Sequence, residues 1–105
     1  MPSKTLAGKT VEVTDEGFLV NPADWTEDMA AELAKEEGIN ELTDMHWKVI
    51  RFMRQEFEKS GQIPTIRRIK NAGGIPIKDL YQLFPDGPAK KAAKIAGLGK
   101  PQGCV

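Results

Sequence analysis

Three features of this sequence predict an α+β fold, with a small N-terminal β-meander packed on an array of short helices and a mobile C-terminal arm. β-formers alternate with polar residues early in the chain, as at Val11 and Val13. Apolar residues then recur at helical spacing, between capping residues and Gly or Pro stops, as far as Ala96. The last nine residues, Gly-Leu-Gly-Lys-Pro-Gln-Gly-Cys-Val, keep neither pattern. One domain of 105 residues accommodates all three, divided as 1–22, 23–96 and 97–105.

Thr5 to Val20 reads as strand material. Asp15-Glu16-Gly17 lies between β-formers, Phe18-Leu19-Val20 follows, and this spacing predicts a hairpin; Gly8-Lys9 offers an earlier turn. Asn21-Pro22 ends the element. Thr26 is a candidate N-cap, with Glu27 and Asp28 suited to a helix N-terminus. A helix over 27–37 follows, with Met29, Ala30, Leu33 and Ala34 on one face and Gly38 as its stop. Thr43 caps the longest helix, 44–59, on which Trp47, Ile50, Met53 and Phe57 form a stripe widened by Val49 and Phe52. Pro64 opens a helix through Asn71, Ala72-Gly73-Gly74 turns, and Pro76 opens another through Phe84. After Pro85-Asp86-Gly87-Pro88 comes a last helix, 89–96, rich in alanine and lysine.

The net charge of zero conceals an asymmetry. Residues 1–59 carry 7 Lys+Arg against 13 Asp+Glu, and residues 60–105 carry 8 against 2. Either the halves neutralise each other, or the C-terminal half presents a basic surface that steers acidic partners. One cysteine excludes an intrachain disulfide, and with one histidine it does not make a metal site, so neither metal nor cofactor is expected. No span is long and apolar enough for a signal peptide or a transmembrane helix, so the expectation is a cytoplasmic protein without membrane association, its thiol reduced.

The thiol is Cys104, next to last, on glycine-rich chain. Gly97 to Gly103 could carry it roughly 20 Å from the last helix when extended. A lone soft nucleophile on such an arm suits a group that visits another protein's active site; a surface cysteine on a loose tail is the plainer alternative. The Val105 carboxylate disfavours the thiolate, so a reactive Cys104 needs cations nearby. Lys100 is four residues upstream, Arg67 and Arg68 lie on the Pro64 helix, and Lys90, Lys91 and Lys94 line the last helix as a partner-docking set. For each of these cations an ordinary solvated surface role competes. His46 is a conceivable base, but its place in the first turn of a helix favours a capping role. The outline from Pro64 to Phe84 is that of a helix-turn-helix, yet its second helix lacks the Arg, Asn and Gln cluster that reads base edges, so direct nucleic-acid contact is not expected.

Tyr81-Gln82-Leu83-Phe84-Pro85-Asp86-Gly87-Pro88-Ala89-Lys90, Lys94-Ile95-Ala96-Gly97-Leu98, Lys100-Pro101 and Cys104-Val105 together resemble the DsrC/TusE family of sulfur-relay proteins. Gly17-Phe18-Leu19, Trp25, Glu37-Gly38-Ile39, His46-Trp47, Pro64 and Arg67 fall in register with it. The resemblance implies that Cys104 receives persulfide sulfur and passes it on, as a carrier-type sulfurtransferase, with Arg67 as the matching basic residue. It implies protein partners: a TusBCD-like or DsrEFH-like donor complex, and a thiouridylase or a sulfite reductase as acceptor. The family's DsrC type has a second cysteine eleven positions upstream, where this chain has Ala93. The chain therefore resembles the single-cysteine TusE type, in a relay toward tRNA thiolation or in sulfur oxidation, and a monomer is expected when reduced. A DsrC-type companion of dissimilatory sulfite reductase is the alternative.

Overall fold

The computed structural model describes residues 2–101. Strands β1 (Ser3–Leu6) and β2 (Lys9–Glu12) pair antiparallel, with Leu6 opposite Lys9. The two residues between them, Ala7 (φ 51) and Gly8 (φ 80), both have positive φ, as a tight hairpin turn requires. Ala7 is unusual there, and its N–H is held by the Glu32 carboxylate. The regular ladder is thus at Ala7-Gly8 rather than at the expected Asp15-Glu16-Gly17. That later turn forms too, through Gly17 N–H to Thr14 O and Phe18 N–H to the Thr14 hydroxyl. Its return leg makes a single bridge, Val13 with Leu19, because Asn21-Pro22 leads straight into a 3₁₀ turn at Pro22–Asp24. Val11, Val13, Phe18 and Leu19 are buried, which makes the meander one wall of the core.

Five helices follow: α1 (Glu27–Glu36), α2 (Asp44–Ser60), α3 (Ile66–Gly73), α4 (Ile77–Leu83) and α5 (Pro88–Ile95). Helix α1 buries Met29, Ala30, Leu33 and Ala34, the face expected from their spacing. Thr26 stands at its N-cap without a side-chain bond; its carbonyl accepts from Met29 N–H. Helix α2 buries His46, Val49, Ile50 and Met53, while Trp47, Phe52 and Phe57 are only partly covered. The inward stripe is therefore rotated from the one expected. Its flank is set by His46, whose Nδ1 accepts from Thr43 N–H (3.0 Å) in a capping box. His46 Nε2 donates to Leu83 O (2.9 Å) at the end of α4, and the ring meets Phe84 edge-on. Both ring nitrogens are occupied structurally.

Helix α3 starts two residues after Pro64, because the Thr65 hydroxyl accepts from Arg68 N–H and is the better cap. It runs through Ala72 and Gly73, expected as turn, and closes at Gly74. Helix α5 is the innermost helix. Ala89, Ala92, Ala93 and Ala96 are fully buried, and their small side chains let α1 and α2 approach closely.

The segment after α5 departs from expectation. The expected arm spans 97–105, but Gly97 to Pro101 belong to the folded body. Gly97 N–H donates to Lys94 O and Leu98 N–H to Ala93 O, the paired bonds that close a helix with a left-handed residue, here Gly97 at φ 74. Leu98 is 0% exposed and Pro101 is buried. The glycine content suggests freedom; one leucine with a place in the core outweighs it. Residues 102–105, Cys104 among them, lie outside the described residues.

Candidate functional site

The described chain ends beside the α2–α3 connection. Gly99 faces Ile63, and Lys100 borders a groove of about 410 Å³ lined also by Phe57, Gly61, Gln62, Ile63 and Thr65. A second groove of about 300 Å³ shares Gln62, Ile63 and Thr65 and adds Glu56, Ser60, Pro64 and Arg68. Arg68 Nε donates to the Glu56 carboxylate at 2.6 Å, which holds the Glu56 carboxyl below its ordinary value and raises Arg68 above its own. Arg67, the neighbouring residue, is exposed in the first turn of α3. The thiol that Arg67 and Lys100 are expected to serve lies beyond Pro101, outside the described residues.

The expected lysine set divides. Lys90 is exposed. Lys94 is largely covered: it ion-pairs with Glu37 at 3.1 Å and its ammonium sits 5.6 Å from the centre of the Phe18 ring. Lys91 donates to the Glu37 carbonyl at 3.4 Å. Lys100 pairs with Glu16 at 3.1 Å, at the tip of the second β-turn. The Glu16 carboxyl is held below its ordinary value chiefly by the Lys100 bond, with Lys90 and Lys94 adding to the effect. Gly17 fits between these groups: a Cβ there would stand 3.0 Å from Lys94 Cε. Acidic residues of the first half thus answer basic residues of the second in three pairs, Glu16–Lys100, Glu37–Lys94 and Glu56–Arg68. Of the two readings of the charge asymmetry, mutual neutralisation accounts for these; Lys90 and Arg67 remain exposed.

Sequence reasoning missed the contacts that hold the root of the tail. Arg54, on α2, donates from Nη1 to Ala96 O (2.7 Å) and from Nη2 to Pro22 O (3.2 Å), and its guanidinium lies 4.3 Å over the Trp25 ring. Trp25 Nε1–H donates to Ile95 O at 2.8 Å. A signal was present: Arg54 follows Met53 and stands four residues after Ile50, at the edge of the inward stripe, where a charge needs a buried acceptor. Ala93, where the resemblance to the DsrC type would put a second cysteine, is fully buried in α5. Among the described residues, no group of three His, Cys, Asp or Glu side chains could hold a metal ion, and no helix is long and apolar enough to cross a membrane.

Comparison with known proteins fits this architecture. Residues 5–105 match the family described as DsrC like protein. The chain is 39% identical over 105 residues to the gamma subunit of dissimilatory-type sulfite reductase from Nitratidesulfovibrio vulgaris, covering all of both chains. It is 41% identical to the sulfurtransferase TusE of Yersinia pseudotuberculosis, over 93% of this chain and 96% of that one. The crystal structure of dissimilatory sulfite reductase I (DsrI) superposes with a TM-score of 0.88 at 36% identity, covering 99% of this chain and 100% of that one. Matched along nearly its whole length in both sequence and fold, the chain belongs to the DsrC-like protein family.

Proposed function

We propose that this protein is a sulfur-relay carrier that accepts persulfide sulfur on Cys104 and hands it to a second protein. The observation that carries the reading is a single thiol, Cys104, in the sequence of a member of a family whose relatives include TusE sulfurtransferases. The Cys104 thiolate attacks the outer sulfur of a donor Cys–S–SH. The donor's S–S bond breaks, its electron pair leaves on the donor sulfur as thiolate, and Cys104–S–SH forms. Delivery repeats the exchange with an acceptor thiolate, so no external oxidant or reductant is needed.

Arg67 and Lys100 serve in this reading as cations that favour the Cys104 thiolate. Support comes from their places: Lys100 is four residues from the thiol, and Arg67 is an exposed arginine on the helix that borders the grooves at the end of the described chain. Of the expected docking set, Lys90 is the exposed cation that meets an acidic protein partner, while Lys91 and Lys94 are engaged with Glu37. The partners are a donor complex of the TusBCD or DsrEFH kind and an acceptor such as a thiouridylase or a sulfite reductase, in the cytoplasm. Ala93 favours the carrier over a companion role in sulfite reduction that uses two thiols on one chain. Intact mass after mixing with a persulfidated donor tests the proposal: a gain of one sulfur, about 32 Da, is expected, and none in Cys104→Ala. Stable loading of the alanine variant overturns it.

A further inference from the structure

The acceptors of Arg54 are backbone carbonyls 74 residues apart in sequence, Pro22 O in the 3₁₀ turn and Ala96 O at the end of α5. No carboxylate forms an ion pair with it among the described residues. Arg54 is half-buried, and even partial burial of a guanidinium is unfavourable; a methionine would fill similar space without that penalty. A charge at this point has a specific match: the last carbonyls of α5, which lack partners in the helix and carry its negative end. Trp25 completes the arrangement by donating to Ile95 O and lying under the guanidinium. Gly97 is in contact with the same ring, so closely that a Cβ would stand 2.3 Å from Trp25 Cδ1.

We infer that Arg54 is a positioning residue for sulfur transfer: with Trp25 it clamps the carbonyl end of α5 and so holds Gly97 to Pro101 on the body, which fixes the point from which the chain continues toward Cys104. The inference rests on the carrier reading. Cys104 follows Pro101, the last described residue, by three positions, and Ala96 by eight. If the clamp fails and Gly97 to Pro101 come off the body, the tether to the thiol lengthens from three residues to eight, from roughly 10 Å to roughly 27 Å of reach. In-line attack on a persulfide needs the reacting atoms within about 3.5 Å, so a loosened root slows transfer between proteins without changing the thiol.

The test uses the full chain with nitroxides on Cys104 and on a second thiol introduced by Glu41→Cys, at an exposed position. Pulsed electron resonance should show a distance distribution at least twofold broader in Arg54→Met than in the parent, and partly restored in Arg54→Lys. Without labels, Arg54→Met should take sulfur from a persulfidated protein donor roughly tenfold more slowly, while alkylation by iodoacetamide stays within twofold. An unchanged distance distribution in folded Arg54→Met overturns the inference. If Arg54→Met does not fold, Trp25→Phe removes the indole N–H bond to Ile95 O and reduces the ring under the guanidinium; the same broadening is expected, and its absence overturns the inference equally. A parent protein that never takes sulfur refutes the carrier reading, whereas an unbroadened distribution refutes the clamp, so the two failures are told apart.

Discussion

Substituting alanine for Gly97 separates two penalties that usually occur together. Gly97 has φ 74, a conformation that disfavours any L side chain by about 1–2 kcal/mol. Its new Cβ would also lie 2.3 to 2.5 Å from Trp25 Cδ1, Cγ and Cβ, well inside contact distance. Relieving that overlap means moving Trp25, and with it the bond to Ile95 O, or peeling Gly97 to Pro101 off the body and exposing Leu98. Overpacking of this kind adds about 1–3 kcal/mol. The second route limits the packing part of the loss to about the value of the Leu98 side chain, about 2 kcal/mol, on top of the conformational cost. Gly97→Ala should therefore lower unfolding stability by about 3 kcal/mol in urea titration. Gly8→Ala is the control: its φ is 80, but nothing lies within 4 Å of the added Cβ, so only the conformational term of about 1–2 kcal/mol applies. Equal losses for the two variants would refute the claim that the tail root is packed against Trp25.

His46→Ala removes the acceptor for Thr43 N–H and leaves the half-buried Leu83 carbonyl without its donor; a loss of about 2 kcal/mol is expected in the same titration, and less than about 1 would deny the ring its two-sided role. Glu16 and Glu56 both have folded carboxyls below the ordinary value of 4.5, so the stability they contribute is complete above that value and is lost as pH falls through the lower folded values. Melting temperatures measured down to about pH 3 should fall less steeply in Glu16→Gln with Glu56→Gln than in the parent, and parallel slopes would contradict the assignment. Arg67→Ala should slow Cys104 alkylation at neutral pH by roughly two- to threefold with the fold intact, as expected when a cation that favours the thiolate is lost. An unchanged rate would mean that Cys104 is activated only within the partner's site.

Much of this protein is legible in its residues one after another, because the forces that write helices and turns act over a few positions. The face of α1, the Thr43 cap and the thiol next to the C-terminus all lie in such local patterns, and so does the family resemblance. Structure and expectation part where a distant partner outweighs a local preference. Gly97 to Pro101 suggest freedom because glycine is permissive, yet the core has a place for Leu98 and the Trp25 face accepts only a glycine. The stripe of α2 is turned because His46, a polar residue, finds acceptor and donor on both sides and goes inside. Lys94 and Lys100 read as surface charge until Glu37 and Glu16, more than fifty residues away in sequence, are brought beside them. Arg54 is the clearest instance. Its place on the edge of a helical stripe hints at burial but names no partner. Pro22, Trp25 and Ala96 come together around it only when the 3₁₀ turn, α2 and the end of α5 pack against one another.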